Sequence, residues 1–100
     1  MTDYIYITEY AYPRIFQGNI IAAGPEPAIT EQQVPIGGSS AQSAAFNANT
    51  KFIRVNCTAV CSLLFGANPT AVATAKRLSA NQTEYFPVIA GHKVAVIANT

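Results

Sequence analysis

The sequence has few charged residues, one histidine, two cysteines and no tryptophan. Asp, Glu, Lys and Arg make up 11% of its 100 residues, against about 25% in an average soluble domain. Half of the residues are hydrophobic, which argues against a disordered chain, because such chains combine low hydrophobicity with high charge. The net charge of +1 argues against a general electrostatic affinity for nucleic acid, which requires many cationic contacts with phosphates.

The longest uncharged stretch, residues 55–75, has the length of a membrane-spanning helix. It is interrupted by Gly66 and by the pair Asn68-Pro69, which are turn signals and would leave backbone groups unpaired in lipid. The N-terminal residues show neither the basic region nor the apolar stretch of a secretory signal. We therefore expect no membrane segment and a protein that is made in the cytoplasm.

The two cysteines, Cys57 and Cys61, lie four positions apart. A disulfide between them would require a tight turn that brings their Cα atoms within about 7 Å. A zinc site would need two further ligands, and the chain has a single histidine. Without an export signal we favour free, buried thiols, and we expect no metal or cofactor.

The hydrophobic pattern has period two, which is typical of strands. Residues 4–10 and 28–36 are predicted to be extended, and residues 14–21 to form one strand with a bend at Gly18-Asn19. Segments 52–57 and 60–65 are predicted to pair as a hairpin, and segments 83–89 and 92–98 as a second one. Residues 71–78 could form a short helix, although their Thr and Val content favours a loop.

This spacing of strands and turns predicts an all-β protein, an antiparallel β-sandwich of about seven or eight short strands. The pattern does not distinguish a jelly roll from an immunoglobulin-like topology. We expect a single domain over residues 1–100, with residues 1–12 forming an extended N-terminal strand or an arm.

The sequence offers few residues for catalysis. His92 follows a predicted turn at Ala90-Gly91, and the only aspartate, Asp3, lies near the N-terminus. A histidine acting as general base needs a nucleophile and an orienting carboxylate. An exposed turn histidine is therefore favoured over a small hydrolase centred on His92, and we do not expect an enzyme.

The tyrosines are more informative, because Tyr4, Tyr6, Tyr10 and Tyr12 all have even numbers. On a continuous strand they would share one face. That face could cover the domain's own core or contact a neighbouring subunit, since tyrosine is enriched at interfaces. A base-stacking platform is a third interpretation, but only Arg14 supplies positive charge nearby.

Five segments of the sequence have a combined pattern of turns and strands that can be compared with known proteins: 4–10 (YIYITEY), 43–46 (SAAF), 65–71 (FGANPTA), 78–86 (LSANQTEYF) and 91–97 (GHKVAVI). Together they resemble a group of small structural proteins of tailed bacteriophages. The resemblance covers most of the chain and rests on turn and strand patterns rather than on catalytic motifs. It implies a virion component with a β-sandwich fold, and among virion components it favours a capsid decoration (cement) protein.

As a decoration protein, the chain would bind the major capsid protein and copies of itself on the virion, without nucleic acid, membrane or cofactor. The candidate interface residues are Tyr4, Tyr6, Tyr10, Tyr12, Asn68, Thr70, Lys76 and Arg77. Two alternatives remain open. One is a head–tail connector or tail protein, which copy number per particle would distinguish from a decoration protein. The other is a module that binds carbohydrate on the host surface, which a glycan-binding screen would detect.

Overall fold

All regular secondary structure in the described part of the chain is β, which confirms the expected all-β class. The computed structural model describes residues 2–11, 14–16, 19–21 and 26–99. These residues form ten strands: β1 (Asp3–Tyr10), β2 (Arg14–Phe16), β3 (Asn19–Ile21), β4 (Thr30–Ile36), β5 (Ala41–Gln42), β6 (Phe52–Cys57), β7 (Cys61–Gly66), β8 (Lys76–Leu78), β9 (Thr83–Pro87) and β10 (Lys93–Ala98).

Eight of the strands form two antiparallel sheets of four. Sheet I has the order β4-β1-β6-β9, and sheet II has the order β5-β10-β7-β8. The N-terminal strand β1 is an inner strand of sheet I, because it pairs with β4 on one side and with β6 on the other. Any contact that β1 makes with another molecule must therefore use the face of the sheet and not a free strand edge.

The hydrophobic core takes alternate residues from strands of both sheets. On β1 the inward positions include Ile5 and Ile7, and directly opposite on β6 lie Cys57 and Val55. Sheet II contributes buried residues to the same cluster, namely Cys61, Leu63, Leu78, Val94 and Val96. Full burial of a large aliphatic side chain contributes about 1.5–3 kcal/mol, and strands of both sheets supply such side chains to this one cluster.

Both predicted hairpins are wrong, although their strands are present. β6 and β7 follow one another in the chain but lie in different sheets, and so do β9 and β10. The alternating pattern shows which side chains of a strand face the core. The same pattern arises when consecutive strands are hydrogen-bonded neighbours and when they lie in different sheets on either side of a core, so it does not predict a hairpin. The chain passes from sheet I to sheet II at residues 58–60, so that Cys57 and Cys61 both enter the core.

Two other predicted segments differ in detail from the structure. Residues 14–21 were expected to form one bent strand, whereas β2 and β3 are two strands that pair with each other, with Arg14 opposite Ile21. Residues 71–75 have no helix, in agreement with the preferred loop, and the chain then enters the short strand β8. Because β8 has three residues, it is too short to give a recognisable alternating pattern.

The two thiols are free and fully buried. The Cys57 thiol donates a hydrogen bond to the backbone oxygen of Ser79, with an Sγ–O distance of 2.9 Å. The pKa of Cys61 is raised to about 12, mainly because the thiol is buried and secondly because of its electrostatic interaction with the neighbouring Cys57. Both groups therefore act as small hydrophobic residues of the core.

A carboxylate also lies in the interior, because Glu9 shares the inward face of β1 with Ile5 and Ile7 and has no exposed surface. Its Oε1 accepts hydrogen bonds from the backbone N of Asn47 at 2.9 Å and from the Thr50 hydroxyl at 2.7 Å. Its Oε2 accepts a third bond from the side-chain amide of Gln32 at 2.9 Å. Glu9 thereby ties β1 and β4 to the loop that carries the chain from sheet II back to sheet I.

Candidate contact surfaces

The tyrosines of β1 lie on the side of sheet I that faces away from the core. The register places Tyr6 beside Gln33 and Asn56, and Tyr10 beside Phe52. The expected common face is thus confirmed for Tyr4, Tyr6 and Tyr10, whereas Tyr12 lies outside the described residues. The isoleucines on the other face of β1 belong to the main hydrophobic cluster, so Tyr4 and Tyr6 do not form the domain's own core, whereas Tyr10 is itself buried.

We call this outward surface of sheet I the tyrosine face. Neighbouring strands align its residues in rows that run across the sheet. Two rows cross all four strands: Gln33, Tyr6, Asn56 and Thr83 form one, and Glu31, Thr8, Arg54 and Tyr85 form the next.

Aromatic rings lie at both ends of the tyrosine face. Tyr4 and Tyr6 pack with ring centroids 6.2 Å apart at one end. At the other end Tyr10 stacks on Phe52 with a centroid distance of 5.2 Å, and Phe52 contacts Tyr85 at 6.3 Å. Rings at these distances make favourable pairwise contacts, so the end of the sheet at Tyr10 is an ordered aromatic cluster.

The candidate tyrosines differ in accessibility. Tyr6 is 42% exposed, whereas Tyr10 is 5% exposed and its hydroxyl donates a hydrogen bond of 2.7 Å to Glu26. The pKa of Tyr10 is raised to about 12, mainly because the side chain is buried and secondly because of this hydrogen bond. Tyr10 therefore stabilises the fold, while Tyr6 offers its ring to solvent.

Between the aromatic ends, sheet I has a shallow depression with a volume of about 640 Å³. Its lining includes Tyr6, Thr8, Glu31, Gln33, Arg54 and Asn56. Of these side chains, the hydrogen bonds found among the described residues use only Asn56, whose amide donates to the hydroxyl of Thr83 at 2.8 Å. The other polar groups are available to a ligand or to water.

The second group of candidate residues lies on sheet II, where residues 67–75 connect β7 to β8. We call this segment the pinned loop. Asn68, Thr70 and Val72 are exposed, whereas Pro69 and Ala71 between them are buried. The alternation of exposed and buried residues fixes the loop on the sheet while it presents uncharged side chains to solvent.

Five hydrogen bonds with side chains of other segments hold the pinned loop. The Gln42 amide donates to Asn68 Oδ1 (2.9 Å) and to Pro69 O (2.7 Å), and Ser62 (3.2 Å) and Asn99 (2.9 Å) both donate to Ala73 O. In the fifth bond the backbone N of Ala71 donates to Ser40 Oγ (2.8 Å). Most of these groups bind backbone atoms, so they fix the path of the chain itself. Sequence reasoning identified Asn68 and Thr70 but none of the residues that hold them, because their partners are distant in the chain.

Lys76 and Arg77 continue from the pinned loop on β8, an edge strand of sheet II, and both are exposed. The Lys76 amine lies 5.7 Å from the ring centre of Phe86, within the range of a cation–π contact. Tyr4, Tyr6 and Tyr10 thus lie on sheet I, and Asn68, Thr70, Lys76 and Arg77 lie on sheet II. Arg77 pairs with Ser62 and shares the face of sheet II that the pinned loop covers, whereas Lys76 pairs with the buried Leu63 and lies on the other face, next to Phe86 of sheet I.

His92 lies beside an apolar groove of about 260 Å³ that includes Phe46, Phe65 and Ile89. Asp3, the only aspartate, instead accepts a hydrogen bond from the hydroxyl of Thr58 at 3.1 Å. Among the described residues, no hydrogen bond joins the His92 side chain to a carboxylate, and no three acidic, cysteine or histidine side chains cluster as metal ligands would. Within the part of the chain that the structure describes, the residues considered for a hydrolase site around His92 are thus not brought together.

Comparison with known proteins gave no match to a family model, to a curated protein or to a solved structure. Within the described residues there is also no helix with the length and apolar character needed to cross a bilayer.

Proposed function

We propose that this chain is a non-enzymatic structural protein of a tailed-phage virion that decorates the capsid shell. In this role it binds the major capsid protein and adjacent copies of itself, and it is made in the host cytoplasm and incorporated into the virion. The observation that carries the proposal is the pinned loop, an exposed and uncharged segment held in one conformation by distant side chains. The sequence resemblance to small phage structural proteins supports the same role.

We further propose that the two sheets pack face to face as a β-sandwich. Support comes from the single hydrophobic cluster, to which β1, β4 and β6 of sheet I and β7, β8 and β10 of sheet II all contribute. In this arrangement the tyrosine face and the pinned loop lie on opposite sides of the protein. A copy bound to the capsid through the pinned loop leaves the tyrosine face open to solvent.

The pinned loop suits a lattice contact for two energetic reasons. A loop that is already ordered loses little conformational freedom on binding, so more of the contact energy appears as affinity. Residues 67–75 also carry no charge, so covering them avoids the desolvation of ionised groups. Binding only to the assembled shell would stabilise that shell by mass action.

The contact can be tested with charge substitutions at two exposed apolar residues. Val72→Lys places a charge in the pinned loop, and Ile89→Lys places the same charge on an exposed residue outside it; the two residues are 50% and 64% exposed. Each purified variant is added below saturation to shells that lack the protein, and the bound fraction is measured. We expect Val72→Lys to bind at least about tenfold more weakly, which corresponds to about 1.4 kcal/mol, and Ile89→Lys to bind like the unsubstituted protein.

Equal binding of both variants would remove the pinned loop from the interface. A parallel Tyr4→Ala/Tyr6→Ala variant tests whether the tyrosine face contributes to the same attachment. If the unsubstituted protein is absent from purified particles, the virion assignment itself is wrong.

A further inference from the structure

The tyrosine face has the features of a ligand site and not only of a solvated sheet surface. Its two most exposed aromatic residues are Tyr6 on β1 and Tyr85 on β9, which are 42% and 37% exposed. They flank the inner strand β6, which places Asn56 beside Tyr6 and Arg54 beside Tyr85. Tyr6 and Tyr85 lie two strands apart across the sheet and two residues apart along it. The usual spacings between strands and between residues then place their Cα atoms about 12 Å apart. Two aromatic platforms therefore lie on either side of a polar strip.

The polar groups between and beside these rings are of several chemical types. Arg54 offers donors only, Glu31 offers acceptors only, and Gln33 offers both. The hydrogen bonds found among the described residues use none of these three side chains. By contrast, Glu9 on β1 and Gln32 on β4, which face inward, are both hydrogen-bonded. The side-chain amide of Asn56 donates a hydrogen bond to the hydroxyl of Thr83. Its side-chain oxygen is therefore available to accept a hydrogen bond from a ligand.

The charges of this surface restrict the class of ligand. Among the described residues that line the depression, the charged ones are Glu31 and Arg54, which together carry no net charge. A nucleic acid or another polyanion would need several cations along its path, and one arginine beside a glutamate does not supply them. A peptide strand cannot extend sheet I at this point, because both edges of β1 and of β6 are already paired.

From these observations we propose that the tyrosine face binds a neutral oligosaccharide, which lies across β6 between Tyr6 and Tyr85. The apolar faces of sugar rings stack on the two tyrosines, and the hydroxyl groups of the sugar exchange hydrogen bonds with Gln33, Arg54, Asn56 and Glu31. A ligand that spans about 12 Å requires several linked rings, so a monosaccharide reaches only one platform. This inference is independent of the capsid assignment, since it uses the sheet opposite to the pinned loop.

The test is a glycan array that presents neutral and anionic glycans, probed with the full chain, followed by calorimetry with the best neutral glycan and its monosaccharide. We expect a neutral oligosaccharide to bind, and its monosaccharide to bind at least about tenfold more weakly, the loss expected for one aromatic contact. Tyr6→Ala and Tyr85→Ala are each expected to weaken oligosaccharide binding by about tenfold. Unfolding midpoints show whether each variant is folded.

The matched control is Leu64→Ala, because Leu64 is 40% exposed and lies on β7, an inner strand of sheet II. It is expected to leave oligosaccharide binding unchanged. As a second readout, a titration followed by nuclear magnetic resonance should shift amide signals of β1, β6 and β9 more than those of sheet II.

Three outcomes would overturn the proposal. These are that no neutral glycan binds, that binding is confined to anionic glycans, or that Tyr6→Ala and Tyr85→Ala leave sugar binding unchanged. Capsid occupancy is measured separately, so failure of sugar binding and failure of the virion assignment are distinguishable.

Discussion

Replacing Glu9 with glutamine is expected to lower the free energy of unfolding by about 2–3 kcal/mol, although the two side chains have nearly the same shape. Glu9 is fully buried and accepts three hydrogen bonds, two at Oε1 and one at Oε2. Glutamine replaces one of these oxygens with an NH₂ group, which is itself a donor. In one orientation this NH₂ group faces the backbone N–H of Asn47, and in the other it faces the side-chain amide of Gln32.

The magnitude follows from the loss of charge-assisted bonds and from the donor that is left unpaired. A hydrogen bond to a charged group contributes about 1.5–3 kcal/mol, and an unsatisfied buried donor costs about 1–3 kcal/mol. Rotation of the Gln32 amide does not rescue the site, because its Oε1 already accepts from the backbone N of Ala44 at 2.9 Å. Removal of the Glu9 side chain altogether would leave three donors unpaired and is expected to be more damaging.

Urea unfolding at neutral pH measures the effect, since domains of this size usually unfold in one cooperative step. With a denaturant slope of roughly 1–3 kcal/mol/M, the loss of about 2–3 kcal/mol should lower the midpoint by about 0.7–3 M. The control is Glu31→Gln on the adjacent strand, where the carboxylate is exposed and the expected change is within about 0.5 kcal/mol. If Glu9→Gln is as stable as Glu31→Gln, the buried hydrogen bonds do not hold the loop as inferred.

Two further predictions concern Tyr10 and the pinned loop. Because the folded state raises the pKa of Tyr10 from 10.0 to about 12, its contribution to stability is complete below about pH 10 and is lost as the pH rises to about 12. Tyr10→Phe should therefore make the decline of unfolding free energy over this range shallower; an identical decline in both proteins would contradict the assignment. In the pinned loop, Ser62→Ala removes one of the bonds to the backbone oxygen of Ala73 and should speed hydrogen exchange at the amide of Ala75, which bonds to Val72. Unchanged exchange at Ala75 would show that Ser62 does not restrain the loop.

The sequence pattern was sufficient to place most strands but not to pair them. Segments 52–57 and 60–65 appear in the structure as β6 and β7 with nearly the predicted bounds. Their alternation reports burial of one face, and it contains no information on whether the partner lies beside the strand or across the core. The short strands β5 and β8 have too few residues to produce a pattern at all.

Glu9 shows that a usable signal in the sequence can be overlooked. The even-numbered tyrosines share one face of β1, so the odd-numbered Glu9 must share the other face with Ile5 and Ile7. The alternation alone therefore indicates a buried carboxylate at this position. Its partners were not predictable, because Gln32, Asn47 and Thr50 reach it only through the pairing of β1 with β4 and the return of the loop before β6.

The candidate surfaces were predicted only in part, because spacing along one strand can be predicted from the sequence but contacts between strands cannot. The period-two spacing of Tyr4, Tyr6 and Tyr10 was enough to place them on one face. The polar rows beside them depend on strand order, which brings Arg54 and Asn56 next to β1 and Tyr85 next to β6. Likewise, the uncharged loop was visible in the sequence, but its restraint by Ser40, Gln42, Ser62 and Asn99 depends on contacts between distant segments.

The most direct test of the proposed role is the number of copies of this chain per purified virus particle, measured by quantitative mass spectrometry against the major capsid protein. A decoration protein should be present in a copy number comparable to that of the major capsid protein. Absence of the chain from purified particles would contradict the virion assignment. A copy number that matches a single connector ring would contradict decoration of the shell.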